Sequence, residues 1–458
     1  LVETYGCVAG YPNGTFRGNR AMTRYEAAAL LNACLDSVTG MTDELKRLIR
    51  EFETELAMIK GRVDGLEARV GELEATQFST TTKLRGTADF IIGGLDYDDA
   101  SKVSATDDAL AFNYRYNLDL NTSFTGRDLL YTRIRTGNFE SKKGFANKNS
   151  YLSDSKEGDG SLKVDKLWYT FPVGDEFKVT VGAVIENYYM VETPTRYKPV
   201  LKAFKLGGYG AVLGASSGQG AGVQWRQKVR AGEPAWNVAA NYVVDGGEGS
   251  KSGKFVTYEA NGTTVKDTQY LGLGGKDSDG YFLSQIGYGN RKWHVSALYA
   301  YKQGEDKSSP AMGYSTDKAA SYDKGLQAFG LRGYWSPEES GLIPEISAGL
   351  DFGSSDTDTA GKATDVFGWM VGLNWQDAFI DGNKLGAAFG SYSSYATSLK
   401  GDSSPDDENF AMEVFYQHQV SDNIAIKPAL FWITDADGAA AKDGEDVMGA
   451  LIQTTFKF

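Results

Sequence analysis

The chain has 458 residues with 55 glycines, 12% aromatic side chains, two cysteines, two histidines and a formal net charge of -13. That charge argues against nucleic acid as a partner, because phosphate binding needs a basic face. No stretch reaches the run of roughly 20 apolar residues that a membrane helix requires, yet a mean hydropathy of -0.36 is also what the alternating strands of a membrane barrel average to.

Residues 1–40 read as a compact helical unit. Gly10-Tyr11-Pro12-Asn13-Gly14 places Pro and Gly where a tight turn needs them. Thr23 caps the helix that follows, and Glu26 completes a capping box, with Ala27, Ala28, Leu30, Leu31 and Leu35 as its buried face. Cys7 and Cys34 fit either one disulfide in an oxidising compartment or two buried thiols. No signal peptide is present, but the chain opens at Leu1 inside a motif, so further residues upstream are expected.

The Gly10–Gly14 turn, the Phe16-Arg17 pair and the Thr23-Arg24-Tyr25-Glu26 box resemble an S-layer homology module, with Tyr25 in place of the family's Ala and a first helix reduced to about Leu1–Tyr5. The resemblance implies binding of acidic, often pyruvylated, wall polysaccharide through Thr23, Arg24 and Glu26, with Arg24 touching the ligand. Its guanidinium suits bidentate carboxylate recognition. The alternative is that Arg24 only dresses a helix N-terminus.

Residues 41–77 carry a heptad seam: Leu45, Ile49, Phe52, Leu56, Ile59, Val63, Leu66, Val70 and Leu73 alternate steps of four and three. Gly61, Gly65 and Gly71 fall outside that seam. Flanking positions match Glu55 with Lys60, Arg62 with Glu67, and Arg69 with Glu74 across neighbouring chains of a parallel bundle. The pattern predicts a self-associating coiled-coil stalk. Its mixed apolar positions leave dimer and trimer open.

From Lys83 the period becomes two. In 109–121, Leu110, Phe112, Tyr114, Tyr116, Leu118 and Leu120 alternate with Asn113, Arg115, Asn117, Asp119 and Asn121, so one face suits lipid and the other water. Strands are expected at 83–97, 109–124, 129–138, 162–173, 177–187, 221–231, 235–245 and 280–289. They continue at 291–303, 326–336, 343–354, 365–376, 383–395, 409–421, 423–435 and 446–458. Short turns alternate with long polar loops, and an even strand count puts both barrel ends on the short-turn, periplasmic side. Trp236, Trp293, Trp335 and Trp375 sit beside short turns with outward parity, as a girdle at the lipid boundary would. The fold class expected is an all-β membrane protein: an antiparallel transmembrane β-barrel of about 16 strands over 83–458, preceded by the stalk and the small α-helical module.

The ending Met448, Ala450, Ile452, Thr454, Phe456, Phe458 resembles the terminal strand by which bacterial outer-membrane proteins are recognised for assembly. Module, stalk and barrel resemble the cyanobacterial SLH-domain porins, often labelled iron uptake porins and related to carbohydrate-selective porins. The resemblance implies trimers in the outer membrane, in contact with lipid bilayer and lipopolysaccharide, that pass inorganic ions and small solutes. It also implies tethering of that membrane to peptidoglycan-linked polysaccharide from the periplasmic side. The iron label follows from no particular residue.

A barrel of this size is too wide for wall side chains to fill, so inward-folded loops must set the bore. The best candidate is 187–220, aromatic and basic, with Tyr188, Tyr189, Arg196, Tyr197, Lys198, Lys202 and Lys205. Inward parity places Arg115, Arg133, Arg135, Arg226, Lys228, Arg230, Arg332 and Lys427 in the lumen. Such cations enrich anions in a confined pore, unless they pair with Asp119 or Glu413 and only stiffen the wall. Trp168 with the loop tyrosines keeps a sugar track in view. Enzyme readings are weak: His294 and His418 lack sequence-adjacent partners, Ser296 beside His294 has inward parity, and no spacing suits zinc or calcium. No cofactor is expected. The main rival to a diffusion channel is a tether whose pore is secondary.

Overall fold

The computed structural model describes residues 23–35, 43–59, 61–62, 64–65, 81–98, 109–141, 143–147, 150–192, 194–214, 217–258, 264–303, 325–339, 341–392, 394–402, 408–435 and 446–458. The chain divides into two compact units, Leu1–Thr80 and Thr81–Phe458. In the first, helix α1 spans Arg24–Leu35 and helix α2 spans Asp43–Glu51, with helix again over 53–59. Ala28 and Leu31 are buried, whereas the seam residues Ile49, Phe52, Leu56 and Ile59 are only half-buried. The Gly10–Gly14 turn, Cys7 and the seam beyond residue 65 lie outside the described residues, as does the side chain of Cys34.

In the second unit the period-two pattern becomes one closed antiparallel sheet. Its strands are β1 Thr82–Tyr97, β2 Ala111–Thr122, β3 Leu129–Gly137, β4 Lys163–Val173, β5 Phe177–Ile185, β6 Gly218–Arg226 and β7 Ala235–Asp245. A small separate hairpin follows, β8 Gly253–Tyr258 and β9 Val265–Leu271. The wall resumes with β10 Gly280–Gly289, β11 Trp293–Lys302, β12 Leu326–Trp335, β13 Glu345–Ser355 and β14 Ala363–Gln376. It ends with β15 Lys384–Gly390, β16 Tyr395–Leu399, β17 Phe410–Ser421, β18 Ile424–Thr434 and β19 Val447–Lys457.

Strand β14 pairs with both β15 and β16, so these two are halves of one broken wall strand and the barrel has sixteen positions. Closure is made by β1 against β19, from Thr87↔Lys457 to Tyr97↔Val447. Phe458 extends it: its amide donates to the Gly86 carbonyl at 3.1 Å, and its own carbonyl accepts from Gly86 N at 2.6 Å. Each expected strand is present within a few residues. The sequence pattern did not foresee the β8–β9 hairpin, which lies outside the wall, or the break in the thirteenth wall strand.

Alternation sorts the two faces. On β13, Glu345, Ser347, Gly349, Asp351 and Gly353 are buried and point inward, while Ile346, Leu350 and Phe352 stand exposed on the outer wall. Phe112, Phe329 and Met448 extend that exposed band. Exposed apolar area of this extent is what a barrel presents to hydrocarbon rather than water. Trp236 and Trp335 are exposed, Trp293 and Trp375 are half-buried, and Trp293 pairs directly with Trp335 next to short turns.

Candidate functional site

Two long-loop segments turn into the lumen instead of standing outside it. The first, 138–162, packs Phe139, Phe145 and Leu152 into a buried cluster with the wall residues Ile91, Phe431 and Val447. The second, 186–217, runs along the inner wall. Asn187 donates to Asn241 on β7 at 2.7 Å, and the amide of Glu192 donates to Gln285 on β10 at 2.8 Å. The amides of Arg196 and Tyr197 both donate to Ser347 Oγ on β13 at 3.1 Å. Glu413 on β17 then accepts from Tyr197 Oη at 2.9 Å, Val200 N at 2.9 Å and Leu201 N at 2.6 Å. The two segments meet where Lys202 N donates to the Tyr151 carbonyl at 2.9 Å. Loop backbone buried inside a barrel needs such acceptors.

The loop doubles back at Leu206–Gly208, three successive residues with positive φ of 60°, 82° and 117°. Glycine tolerates that conformation and leucine does not, so the surroundings must hold it. Arg332 supplies the hold. Its guanidinium donates to the carbonyls of Leu206 and Gly208 at 3.1 Å each, to Leu331 and Leu350, and to Asp351 at 2.6 Å. A Cβ on Gly349 would stand 1.8 Å from the Gly207 carbonyl, which is why the wall is bare there. The break between β15 and β16 serves the same loop: Ser394 Oγ accepts from Ala211 N at 2.9 Å.

These contacts decide the fate of each expected lumen cation. Arg332 does not line the pore; its side chain has no exposed surface and clamps the loop. Arg115 pairs with Asp89 and Asp154 at 2.5 Å each, and Arg133 with Asp165. Arg135 approaches Asp165 only to 3.7 Å. Arg226 pairs with Glu192 at 2.8 Å and Arg196 with Glu345 at 3.1 Å. Lys198 is exposed, and Lys427 lies over the Phe415 ring at 5.4 Å. Strand β6 ends at Arg226, so Lys228 and Arg230 sit in the connection that follows it and not on the strand itself. There they help line a cavity of about 1130 Å³ at the short-turn mouth, together with Arg226, Asp175 and Glu192.

The carboxylates that pair with the arginines are not the pair expected. Asp119 accepts from Tyr131 Oη, and Glu413 belongs to the loop anchor. Asp89, Asp154 and Asp165 do the pairing. Asp89 was open to a parity argument, being a charge on an inward strand position, whereas Asp165 sits at a register shift of β4, where parity fails, and Asp154 in a loop that carries no periodic signal.

The narrow zone lies between β2–β4 and the two inward segments. There one carboxylate, Asp165, serves Arg133, Arg135, Lys156 at 2.9 Å and Lys166 at 4.0 Å. Lys166 also reaches Glu186 at 3.2 Å. Tyrosine faces carry the loop cations: Lys202 lies 4.9 Å over Tyr151 and 4.8 Å over Tyr209, and Lys205 lies 4.7 Å over Tyr188. Confinement, and after it the charge of Lys205, pushes the Lys202 ammonium down to about 7. Trp168 is stacked by Tyr131 at 4.3 Å and tilted against Tyr189 at 4.8 Å. At 9% exposure it leaves little ring face for a sugar.

In the first unit the capping box forms as read. Thr23 Oγ1 accepts from Glu26 N at 3.2 Å, and the Glu26 carboxylate accepts from Thr23 N at 2.8 Å. Arg24 is already engaged: Nε donates to Glu55 at 2.7 Å, and the guanidinium lies 5.0 Å over Phe52. The Glu55 partner raises the Arg24 pKa. Glu55 was expected to face Lys60 of a neighbouring chain, and here it meets Arg24 of its own.

Comparison with known proteins agrees with this architecture. Residues 42–458 match the family model described as carbohydrate-selective porin, OprB family, and residues 1–28 match the S-layer homology domain. An uncharacterized protein of Nostoc sp. is 31% identical, the alignment covering 100% of this chain and 82% of that one. A second, of Synechocystis sp., is 29% identical over 100% of this chain and 87% of its own length. The solved structure of OprB from Pseudomonas putida at high pH superposes with a TM-score of 0.53 at 11% identity, covering 85% of this chain and 96% of that one.

Proposed function

The chain belongs to the carbohydrate-selective porins of the OprB family and carries an S-layer homology domain, and on that footing we propose that it is a passive outer-membrane channel for inorganic ions and small solutes with a preference for anions. One observation carries the preference: at the narrow zone Asp165 is shared among Arg133, Arg135, Lys156 and Lys166. Lys202 and Lys205 add positive charge from the loop. Cations crowded into a confined aqueous path raise the local concentration of anions and repel cations. The vestibule toward the short-turn mouth adds Arg226, Lys228 and Arg230, the first two paired with Glu192 and Asp175.

The family description favours a second reading, a sugar-selective pore. Stacking on sugars needs open aromatic faces, and the Tyr131–Trp168–Tyr189 rings lean on one another. Swelling of proteoliposomes separates the readings. An ion channel admits small salts and neutral sugars only in order of size, whereas a sugar track admits a hexose faster than its size allows.

The barrel begins at Thr82 and ends at Lys457 beside the short turns, which supports a periplasmic position for everything upstream. In this reading the half-buried seam at Ile49, Phe52, Leu56 and Ile59 closes against other copies as a trimeric stalk. The module around Thr23, Arg24 and Glu26 then holds peptidoglycan-linked polysaccharide, which must compete with Glu55 for Arg24. Deleting residues 1–77 is expected to abolish co-sedimentation with wall fragments and leave conductance intact. Lost conductance in a folded, truncated barrel contradicts this division of labour.

A further inference from the structure

The narrow zone holds more than a diffuse positive potential. Arg135 has its Nε buried with no hydrogen-bond partner among the described residues. The carboxylate that it approaches, Asp165, is already gripped by Arg133 through Nε at 2.8 Å and by Lys156 at 2.9 Å. A planar guanidinium with unused donors is a fork awaiting an oxygen acceptor.

On the inward loop, Lys205 Nζ donates to Tyr188 Oη at 3.1 Å and lies on the Tyr188 ring, whose neighbour Tyr189 accepts from Arg133, the arginine that shares Asp165 with Arg135. Tyr188 in turn donates to Glu186 at 2.6 Å, which fixes the ring and leaves the lysine's other donors aimed away from it. A ring quadrupole holds an ammonium without neutralising it. Lys202, carried on Tyr151 and Tyr209, stands in the same field: after confinement and Lys205, Glu186 opposes and the charges of Arg135 and Lys166 add to it. Lys205 feels burial first, then the opposing Glu186, then both Arg135 and Arg133. Cations from β3, β4 and the loop therefore gather around carboxylates that are shared several ways.

We propose that the space between Arg135 and Lys205 is a saturable binding site for a doubly charged tetrahedral oxyanion, the class of sulfate and hydrogen phosphate. This rests on the channel reading above and deepens it. A monovalent chloride neutralises only one of the converging cations and offers a single acceptor atom. A tetrahedral dianion accepts from the Arg135 fork on one edge and from Lys205 on another, so it binds where chloride merely passes.

The test is chloride current through the full-length channel in a planar bilayer, with sulfate and then phosphate titrated in at constant ionic strength near neutral pH. The expected result is a saturating block by each oxyanion. Arg135→Gln and Lys205→Gln should each raise the half-blocking concentration at least about tenfold, the loss expected for one charge-assisted hydrogen bond. Folding of both variants is checked by the mobility of the unheated barrel on a gel. The wild-type titration stands without them. Block that follows ionic strength alone, or block by gluconate with none by sulfate, overturns the site. A cation-selective reversal potential sinks the anion-channel reading itself, whereas anion selectivity without saturation sinks only the binding site.

Discussion

Arg332→Met separates a clamp from a pore-lining charge. The guanidinium makes five hydrogen bonds, two of them to carbonyls of the strained Leu206–Gly208 turn and one at 2.6 Å to buried Asp351. Removing one member of a buried ion pair costs about 3–5 kcal/mol, because the other charge is left without compensation. That corresponds to roughly two to nearly four orders of magnitude in the ratio of docked to released turn. The remaining anchors at Glu413, Ser347 and Asn187 keep the rest of the loop in place, so the expected outcome is a folded channel with a loosened constriction: larger mean conductance, strong open-channel noise and a lower unfolding temperature on gels. Selectivity should hardly move, since the side chain meets no solute. Replacing both partners, Arg332→Met with Asp351→Leu, removes the stranded carboxylate and should recover part of the lost stability, as apolar replacement of buried pairs does elsewhere. A quiet channel whose reversal potential shifts toward cations would refute the clamp and return Arg332 to the pore lining.

Gly349→Ala drives a methyl group to 1.8 Å from the Gly207 carbonyl; it should lift the same turn and raise conductance and noise, and unchanged recordings count against the docking geometry. Lys202, pushed down to about 7 by confinement beside Lys205, Arg135 and Lys166 and opposite Glu186, is charged in mild acid and largely neutral in mild base. The anion preference should therefore fall as pH rises from about 6 to about 8.5, and a preference that grows over that range contradicts the assignment. Thr23→Ala removes the Oγ1 that accepts from Glu26 N, at a cost of about 1 kcal/mol to the helix, and should weaken co-sedimentation with wall fragments while leaving conductance alone. Phe458→Ala strips a ring that lies over Gly86 and stacks on Tyr116 at 6.0 Å, at the seam where β1 meets β19. It should slow assembly of heat-resistant barrel, measured as the folded fraction against time in detergent or lipid.

The wall was legible because its physics is local. A lipid-facing side chain and a water-facing one must alternate along every strand, so positions such as Phe112 and Asn113 announce their faces without tertiary information. Glycine at 390 followed by Ser391, Ser393 and Ser394 was a weak sign of the broken strand, yet its purpose depends on a loop more than 170 residues earlier. The same distance defeats parity for the lumen cations. Parity correctly sends Arg332 inward, but only the fold reveals a turn of 186–217 pressed over it. Lys228 and Arg230 lie beyond β6, which stops at Arg226 although the alternation of Val229 and Ala231 with Lys228 and Arg230 runs on past it. The capping box was readable from four adjacent residues, and the Glu55 partner of Arg24 was not, since the heptad rule assigned that glutamate to another chain.

The most direct measurement is the zero-current potential of the purified full-length protein in a planar bilayer under a steep KCl gradient. The account predicts stable channels whose potential carries the sign of chloride permeation. Channels with the sign of potassium permeation, or a folded barrel that conducts nothing, contradict it.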